Sequence, residues 1–233
     1  MAKKIVINIM FNNRNVPKGK TKKWIEARIK IFQNFTLRSL KNQTSQDFLC
    51  ILRFDDQTGG IIKNALNKYP ELPENIIFSP DTEANKKINN YIEGSDYFYL
   101  VRLDSDDMYH KTYIQQLHDY NPKPSTEVLI NKGGYIFDIN RSLLKETFRK
   151  SPPFYTLIYK TGEYKIGHRK KLVGGHPGAI KFKHEIINKK NYVITIHGHN
   201  KSSKFSHRNS NEIWNSRENV DNSLKAKILA EFM

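Results

Sequence analysis

Three carboxylates stand together at Asp104, Asp106 and Asp107, directly after the apolar run of residues 97–103. Carboxylates this close repel one another, and a hard divalent cation bound through their oxygens relieves the repulsion. The competing reading is an acidic turn, with Asp106 or Asp107 as the N-cap of a helix carrying Tyr113, Ile114 and Leu117. Two further polar clusters stand after apolar runs in the same way: Asp55-Asp56 after residues 48–54, and Asn12-Asn13 after residues 4–11. Late in the chain His197 and His199 flank Gly198, ahead of a polar basic loop.

The elements that must position these residues can be read from hydrophobic period. Residues 97–103 are short, aromatic and β-branched, as in a strand buried on both faces of a parallel sheet. Such strands deliver their C-terminal residues to the crevice where open α/β folds bind ligands. Residues 4–11, 48–54 and 75–79 share that character. Trp24, Ile25, Arg28, Ile31, Phe32, Phe35 and Leu40 recur at three- and four-residue steps and predict a helix ending near Asn42. Residues 61–69 predict a helix stopped by Pro70, and a third helix, capped by Asp81 or Thr82, runs to Glu93 with Gly94 as its stop. The order β-α-β-α-β-α-β implies a parallel sheet with right-handed crossovers. The ends of its first, second and fourth strands then share an edge, bringing Asn12, Asp55/Asp56 and Asp104/Asp106 together. Two acidic strand ends in one crevice favour a ligand site over a helix cap.

Beyond residue 120 the alternation stops. Residues 127–131 and 135–139 read as a hairpin turning at Gly133-Gly134, 141–149 as a short helix, 174–178 as a loop, 192–196 as a strand leading to the histidines, and 213–232 as a helix. No linker is evident, so residues 1–233 read as one domain with an N-terminal half, 1–120, and a C-terminal half, 121–233.

Composition bounds the function. The chain has 233 residues, 38% of them hydrophobic, with 12 Tyr and 13 Phe, enough for a substantial core. No stretch nears the roughly 20 apolar residues that span a bilayer. The first apolar run is short, contains Asn8 and lacks a small-residue cleavage site, so it reads as a strand rather than a signal peptide. Cys50 is the only cysteine, which excludes an internal disulfide and suits a reducing cytoplasm. The net charge of +16 is uneven: residues 1–120 carry 18 Lys/Arg against 14 Asp/Glu, and residues 121–233 carry 21 against 9. A basic half suits an anionic partner such as nucleic acid, an anionic glycopolymer, a phospholipid surface or a nucleotide; the plain alternative is a solvated basic surface.

Taken with these features, the strand ending at Asp55-Asp56 and the strand ending at Leu103-Asp-Ser-Asp-Asp107 resemble GT-A glycosyltransferases, the second matching their Asp-X-Asp motif. More narrowly, Phe11-Asn-Asn13, the Trp24…Arg28…Phe32…Leu37-Arg-Ser-Leu40…Gln43 segment, Gln46-Asp-Phe48, Arg102 to Asp107 and His197-Gly-His-Asn200 are similar to a rhamnosyltransferase-like group of these enzymes. The resemblance implies an α/β fold of GT-A (Rossmann-like) type, a mostly parallel sheet flanked by helices, with a basic, less regular C-terminal half. It makes residues 1–120 the nucleotide-sugar half and residues 121–233 the acceptor half with its C-terminal helix. It implies that Asp104 and Asp106 hold Mn²⁺ or Mg²⁺ on the donor diphosphate and that Asp107 ligates or orients. Asp55 or Asp56 binds base or ribose, Asn12 and Asn13 meet the nucleotide, and His197 is a third ligand or a phosphate contact. Arg102 pairs with the motif carboxylates or, alternatively, is an edge-exposed side chain. Asp138, Glu163 and His176 are the candidates for a base on the acceptor hydroxyl; none sits in a motif, and inverting and retaining outcomes stay open.

The activity implied is that of a metal-dependent glycosyltransferase of hexosyltransferase type, moving a sugar from a nucleotide-sugar donor to an anionic acceptor such as a surface glycopolymer or modified DNA. The aromatic and basic residues 154–171 suit phosphate contacts with either base or sugar stacking. A non-catalytic nucleic-acid-binding protein on a Rossmann-like scaffold would explain the charge and leave the carboxylates unexplained. A nucleotidyltransferase or nuclease would also gather carboxylates around metal.

Overall fold

The computed structural model describes residues 2–13, 17–198, 212–215 (backbone) and 219–233. Its first half keeps the alternation: β1 (Lys3–Met10), α1 (Lys22–Asn34), α2 (Thr36–Lys41), β2 (Leu49–Phe54), α3 (Gly59–Leu66), β3 (Ile76–Pro80), α4 (Asp81–Tyr91) and β4 (Tyr97–Leu103). The single helix expected up to Asn42 is two, because Phe35 leaves helical geometry at φ −125°, ψ −72° and turns the chain into α2. Pro80, not Asp81 or Thr82, stands at the N-cap of α4. The strands lie in the order β3-β2-β1-β4, all parallel. Alternate residues of β1 serve opposite faces. Ile5, Ile7 and Ile9 pack with Ile25, Ile29 and Phe32 of α1, while Val6 packs with Ala84 and Ile88 of α4.

The second half comprises β5 (Met108–Tyr109), α5 (Tyr113–Asp119), β6 (Val128–Asp138), β7 (Leu143–Arg149), β8 (Tyr155–Lys160), α6 (Thr161–Lys165), β9 (His184–Ile196), β10 (Glu212–Asn215) and α7 (Asn222–Ala230). It extends the same sheet: β8 pairs antiparallel with β4 and with β6, and β6 pairs antiparallel with β7 and parallel with β9. The hairpin expected at Gly133-Gly134 does not form. β6 runs straight through both glycines, and a Cβ on Gly134 would lie 2.5 Å from the Tyr192 ring and carbonyl oxygen of β9. The glycines permit close approach of two backbones rather than a turn. The turn lies later, where Asp138 pairs with Leu143 and the Asp138 carboxylate accepts from the backbone N–H of Asn140 (3.0 Å) and Arg141 (3.1 Å). Residues 143–149 are therefore a strand, not the expected helix. The expected helix over 213–232 is also divided, into β10 and α7. Behind it Phe232 is buried against Met108, Tyr135 and Val193.

Candidate active site

Strand register places the acidic ends together. Ile9 of β1 is level with Leu52 of β2 on one side and Leu103 of β4 on the other. Asp55, three residues beyond Leu52, and Asp104, one beyond Leu103, thus leave the same sheet edge from strands about 10 Å apart, two strand spacings. Between them Asn12 is buried and acts as a tie. Its Oδ1 accepts from the Asp55 N–H (2.9 Å), and its Nδ2 donates to Gly19 O and Thr58 Oγ1, each at 3.1 Å. Asn13 donates to Asp81 Oδ1 (2.7 Å), which also takes Arg53 Nε (2.7 Å). Asp55 Oδ2 meets Lys20 Nζ at 2.7 Å, and that lysine holds the Asp55 carboxyl below its ordinary range. Asp56 is exposed and accepts from Thr82 Oγ1 at 2.5 Å.

The acidic turn after β4 is fastened from two sides. From α2 and the residues just after it, Thr36 Oγ1 donates to Asp107 O (2.8 Å), Ser39 Oγ to Tyr109 O (2.7 Å) and Gln43 Nε2 to His110 O (2.9 Å). From β9, the Thr195 hydroxyl donates to Asp106 O and the Thr195 N–H to Asp107 Oδ1 (3.0 Å). Both clamps use neutral donors, so the turn is fixed without consuming the charge of Asp104 or Asp106.

The three carboxylates have different surroundings. Asp104 takes Arg102 Nη2 on both oxygens, at 2.9 and 2.8 Å, while Arg102 Nη1 donates to Pro153 O (2.7 Å). Arg102 is therefore paired rather than edge-exposed. Asp106 Oδ2 lies 2.6 Å from Arg28 Nη1 and 3.0 Å from His197 Nε2. Burial pushes the Asp106 carboxyl up, but the His197 hydrogen bond and the Arg28 charge hold it below its usual value. Asp107 is enclosed and turned to Thr195; burial, together with the charges of Asp106 and Asp104, pushes its carboxyl well up. The metal role expected of Asp107 is thus not supported by its position: it anchors the turn.

Among the described residues no group of three or more His, Cys, Asp or Glu is placed to hold a metal. Two carboxylates are enough, however, for a hard cation whose other ligands are substrate phosphates and water. Asp104 and Asp106 fit that donor set, and His197 stands as the partner of Asp106 rather than as an independent ligand. Below Asp104 a groove of about 360 Å³ opens on the α4 face, lined by Asn8, Met10, Arg53, Asn85, Arg102 and Tyr155 among others.

The base candidates separate. Tyr97, at the start of β4, pairs with Lys160, so Glu163 of α6 lies at the opposite end of the strand from Asp104, about 20 Å away. It is exposed and paired with Lys160. The structure does not bring Glu163 to the site, and Glu163→Gln should leave sugar turnover within about twofold of the parent in a steady-state assay, as for surface changes generally. Asp138 ends β6 beside Ile196, one residue before His197. It is buried, and despite that burial Arg141 and the two turn amides hold its carboxyl below the usual range, which makes it a weak base. His176 opens a 3-10 turn, His176–Lys181, whose backbone accepts from Ser151 Oγ, two residues before the Pro153 carbonyl that receives Arg102. His199, Asn200 and the basic loop 201–208 lie outside the described residues.

Sequence reasoning missed Arg28, Thr195 and Lys20 as site residues. Arg28 did carry a signal: a charge inside the apolar stripe of α1 needs a buried partner, as does Arg102 inside an apolar strand.

Residues 20–136 match the protein family described as "Putative rhamnosyl transferase", just over half of the chain. The chain belongs to this family. The matched span of this rhamnosyl transferase family member holds Arg28, Asp55, Arg102 and the Asp104–Asp107 turn, and excludes Asp138, Glu163, His176 and His197. No curated protein sequence matches the chain. Among solved structures, S. aureus TarS 1-349 in complex with UDP-GlcNAc is 16% identical over 83% of this chain and 59% of that one, with a TM-score of 0.46. The same protein in complex with UDP is 16% identical over 83% and 60%, at 0.44. HddC from Yersinia pseudotuberculosis is 13% identical over 83% and 93%, at 0.41. The chain thus spans about 60% of the TarS 1-349 chain it matches. The family member has the mixed α/β sheet with flanking helices expected of a GT-A glycosyltransferase. No helix of its described residues is long and apolar enough to cross a membrane.

Proposed function

We propose that this chain is a single-domain glycosyltransferase that moves a hexose-type sugar from a nucleotide-diphosphate donor to an acceptor, with Mn²⁺ or Mg²⁺ held by Asp104 and Asp106. The observation that carries this reading is the meeting of two acidic strand ends on one lip, with Asp104 and Asp106 each held by an arginine. The donor nucleotide takes the lip between Asp55 and Asp104 and the groove beneath it. When bound, the cation neutralises the diphosphate as its bond to the anomeric carbon breaks. Arg102 orients Asp104, Arg28 orients Asp106 and holds it ionised, and both add positive charge where the leaving group becomes more negative. His197 orients Asp106. The acceptor base is His176, which belongs to the half of the chain beyond the donor strands; Asp138, held by Arg141 and two turn amides, is the weaker base. The acceptor is anionic, in keeping with the net charge of +16, and the single buried Cys50 suits a cytoplasmic setting.

The test is a donor-hydrolysis screen with UDP-, GDP- and dTDP-sugars, including dTDP-rhamnose and UDP-GlcNAc, in Mn²⁺. One nucleotide should support turnover that EDTA abolishes. Absence of turnover with every donor, together with DNA binding that salt removes, would instead favour the nucleic-acid-binding reading.

A further inference from the structure

We propose that the outer face of α1 is a docking track for an anionic glycan chain, leading its acceptor end past Trp24 to Arg28 and Asp106. This rests on the glycosyl-transfer reading above and names where, and with what chemistry, the acceptor binds.

Two concavities lie along α1. One, of about 280 Å³, is walled by Lys18, Thr21, Trp24, Arg28, Ile31 and His197. The other, of about 570 Å³, lies between α1 and α3 and is walled by Lys22, Lys30, Lys68 and Tyr69. Lys23 and Ala27 wall both, so the two adjoin along the helix. Lys22, Lys23, Glu26, Ala27 and Lys30 fall at steps of three, four and seven residues and share one side of the helix. Ile25, Ile29 and Phe32 occupy the buried side. The five lysines of the track are exposed, and its one acid, Glu26, is held by Lys68 at 2.7 Å. The track is therefore strongly positive along its whole length. Its inner end is the guanidinium that binds Asp106, so a chain laid on it points at the proposed reaction centre.

Trp24 specifies the ligand further. The Arg28 guanidinium lies over its half-buried indole, 5.3 Å from Cζ to ring centroid. An aromatic face next to a fixed cation suits a sugar ring bearing a phosphate or carboxylate. Single-stranded nucleic acid calls for successive stacking platforms along its path. Among the described residues the only other aromatic lining the track is Tyr69, in the far concavity.

The experiment uses the full chain and three fluorescein-labelled probes: a poly(glycerol phosphate) oligomer, neutral dextran, and single-stranded DNA matched in charge to the first. Binding is read by anisotropy, and donor hydrolysis without acceptor is measured in parallel. The parent should bind the glycan polyanion in preference to the other two probes. Lys23→Glu with Lys30→Glu should weaken that binding by about tenfold or more at low salt, since reversed charges repel the phosphates they formerly attracted. Hydrolysis of the donor alone should not change in the double variant. Unaltered polymer binding in the double variant, or tighter binding of DNA, overturns the proposal. A parent that hydrolyses no donor, yet loses the polymer in the double variant, overturns the enzyme reading and leaves the track standing.

Discussion

Asp106→Asn should lower donor turnover by about 10²–10³-fold, the scale seen when a single preorganised electrostatic group is removed from a transition state. Asparagine keeps the shape and loses the charge, so the cation site proposed here would lose one of its two carboxylates. The change also leaves the Arg28 guanidinium and His197 facing a neutral amide. Removing one partner of a fully buried pair costs about 3–5 kcal/mol. Here the side chains keep 19% and 10% of their exposure, which lets water moderate the loss. Melting should therefore fall measurably but the protein should remain folded by circular dichroism. The neighbouring carboxylate supplies the control. Asp107→Asn should retain most of the turnover, because an asparagine oxygen still accepts the Thr195 N–H that holds this side chain. Equal losses in the two variants would contradict the division of roles between them.

Gly134→Ala should destabilise the fold by about 1–3 kcal/mol, the usual range for overpacking a filled core. The new methyl would meet two ring carbons and the carbonyl oxygen of Tyr192, each at 2.5 Å. Tyr192 cannot withdraw. It is fully buried, stacked on Phe154 with ring centroids 3.9 Å apart, and donates its hydroxyl to Lys132 O. It also pairs with Tyr109, just after the acidic turn, so strain here reaches the site. For a chain of this size each kcal/mol corresponds to about 2–4 °C of melting temperature. Gly133→Ala is the milder comparison, since its nearest obstacle is a carbonyl oxygen at 3.4 Å. A Gly134→Ala protein melting with the parent would mean that β6 and β9 do not approach this closely.

The same glycines show where sequence and structure part. The first four strands could be read because each is an apolar run separated from the next by an amphipathic helix, a pattern that implies parallel strands with right-handed crossovers. That pattern also brought Asp55 and Asp104 together. Gly133-Gly134 misled because a glycine pair marks a tight turn and a close backbone approach equally well; Tyr192, nearly sixty residues later, decides between them. Residues 143–149 contain good helix formers, Leu, Lys and Glu, yet pairing with β6 overrides that local preference. The turn carboxylates were legible, their partners less so. Thr195 reaches Asp106 and Asp107 across about ninety residues, a proximity only the fold supplies, while His197 was placed at the site by the family resemblance alone. Arg28 was missed too, although a charge stranded on an apolar helix face was a signal for it.

The most direct test is a crystal structure of the protein grown with Mn²⁺ and the nucleoside diphosphate of its preferred donor, with the metal located by anomalous scattering. The metal should sit within about 2.0–2.3 Å of oxygens from Asp104 and Asp106, bridging them to the diphosphate. A nucleotide bound elsewhere, or a diphosphate held at this lip by Arg28 and Arg102 with the manganese at another place on the molecule, would contradict the account.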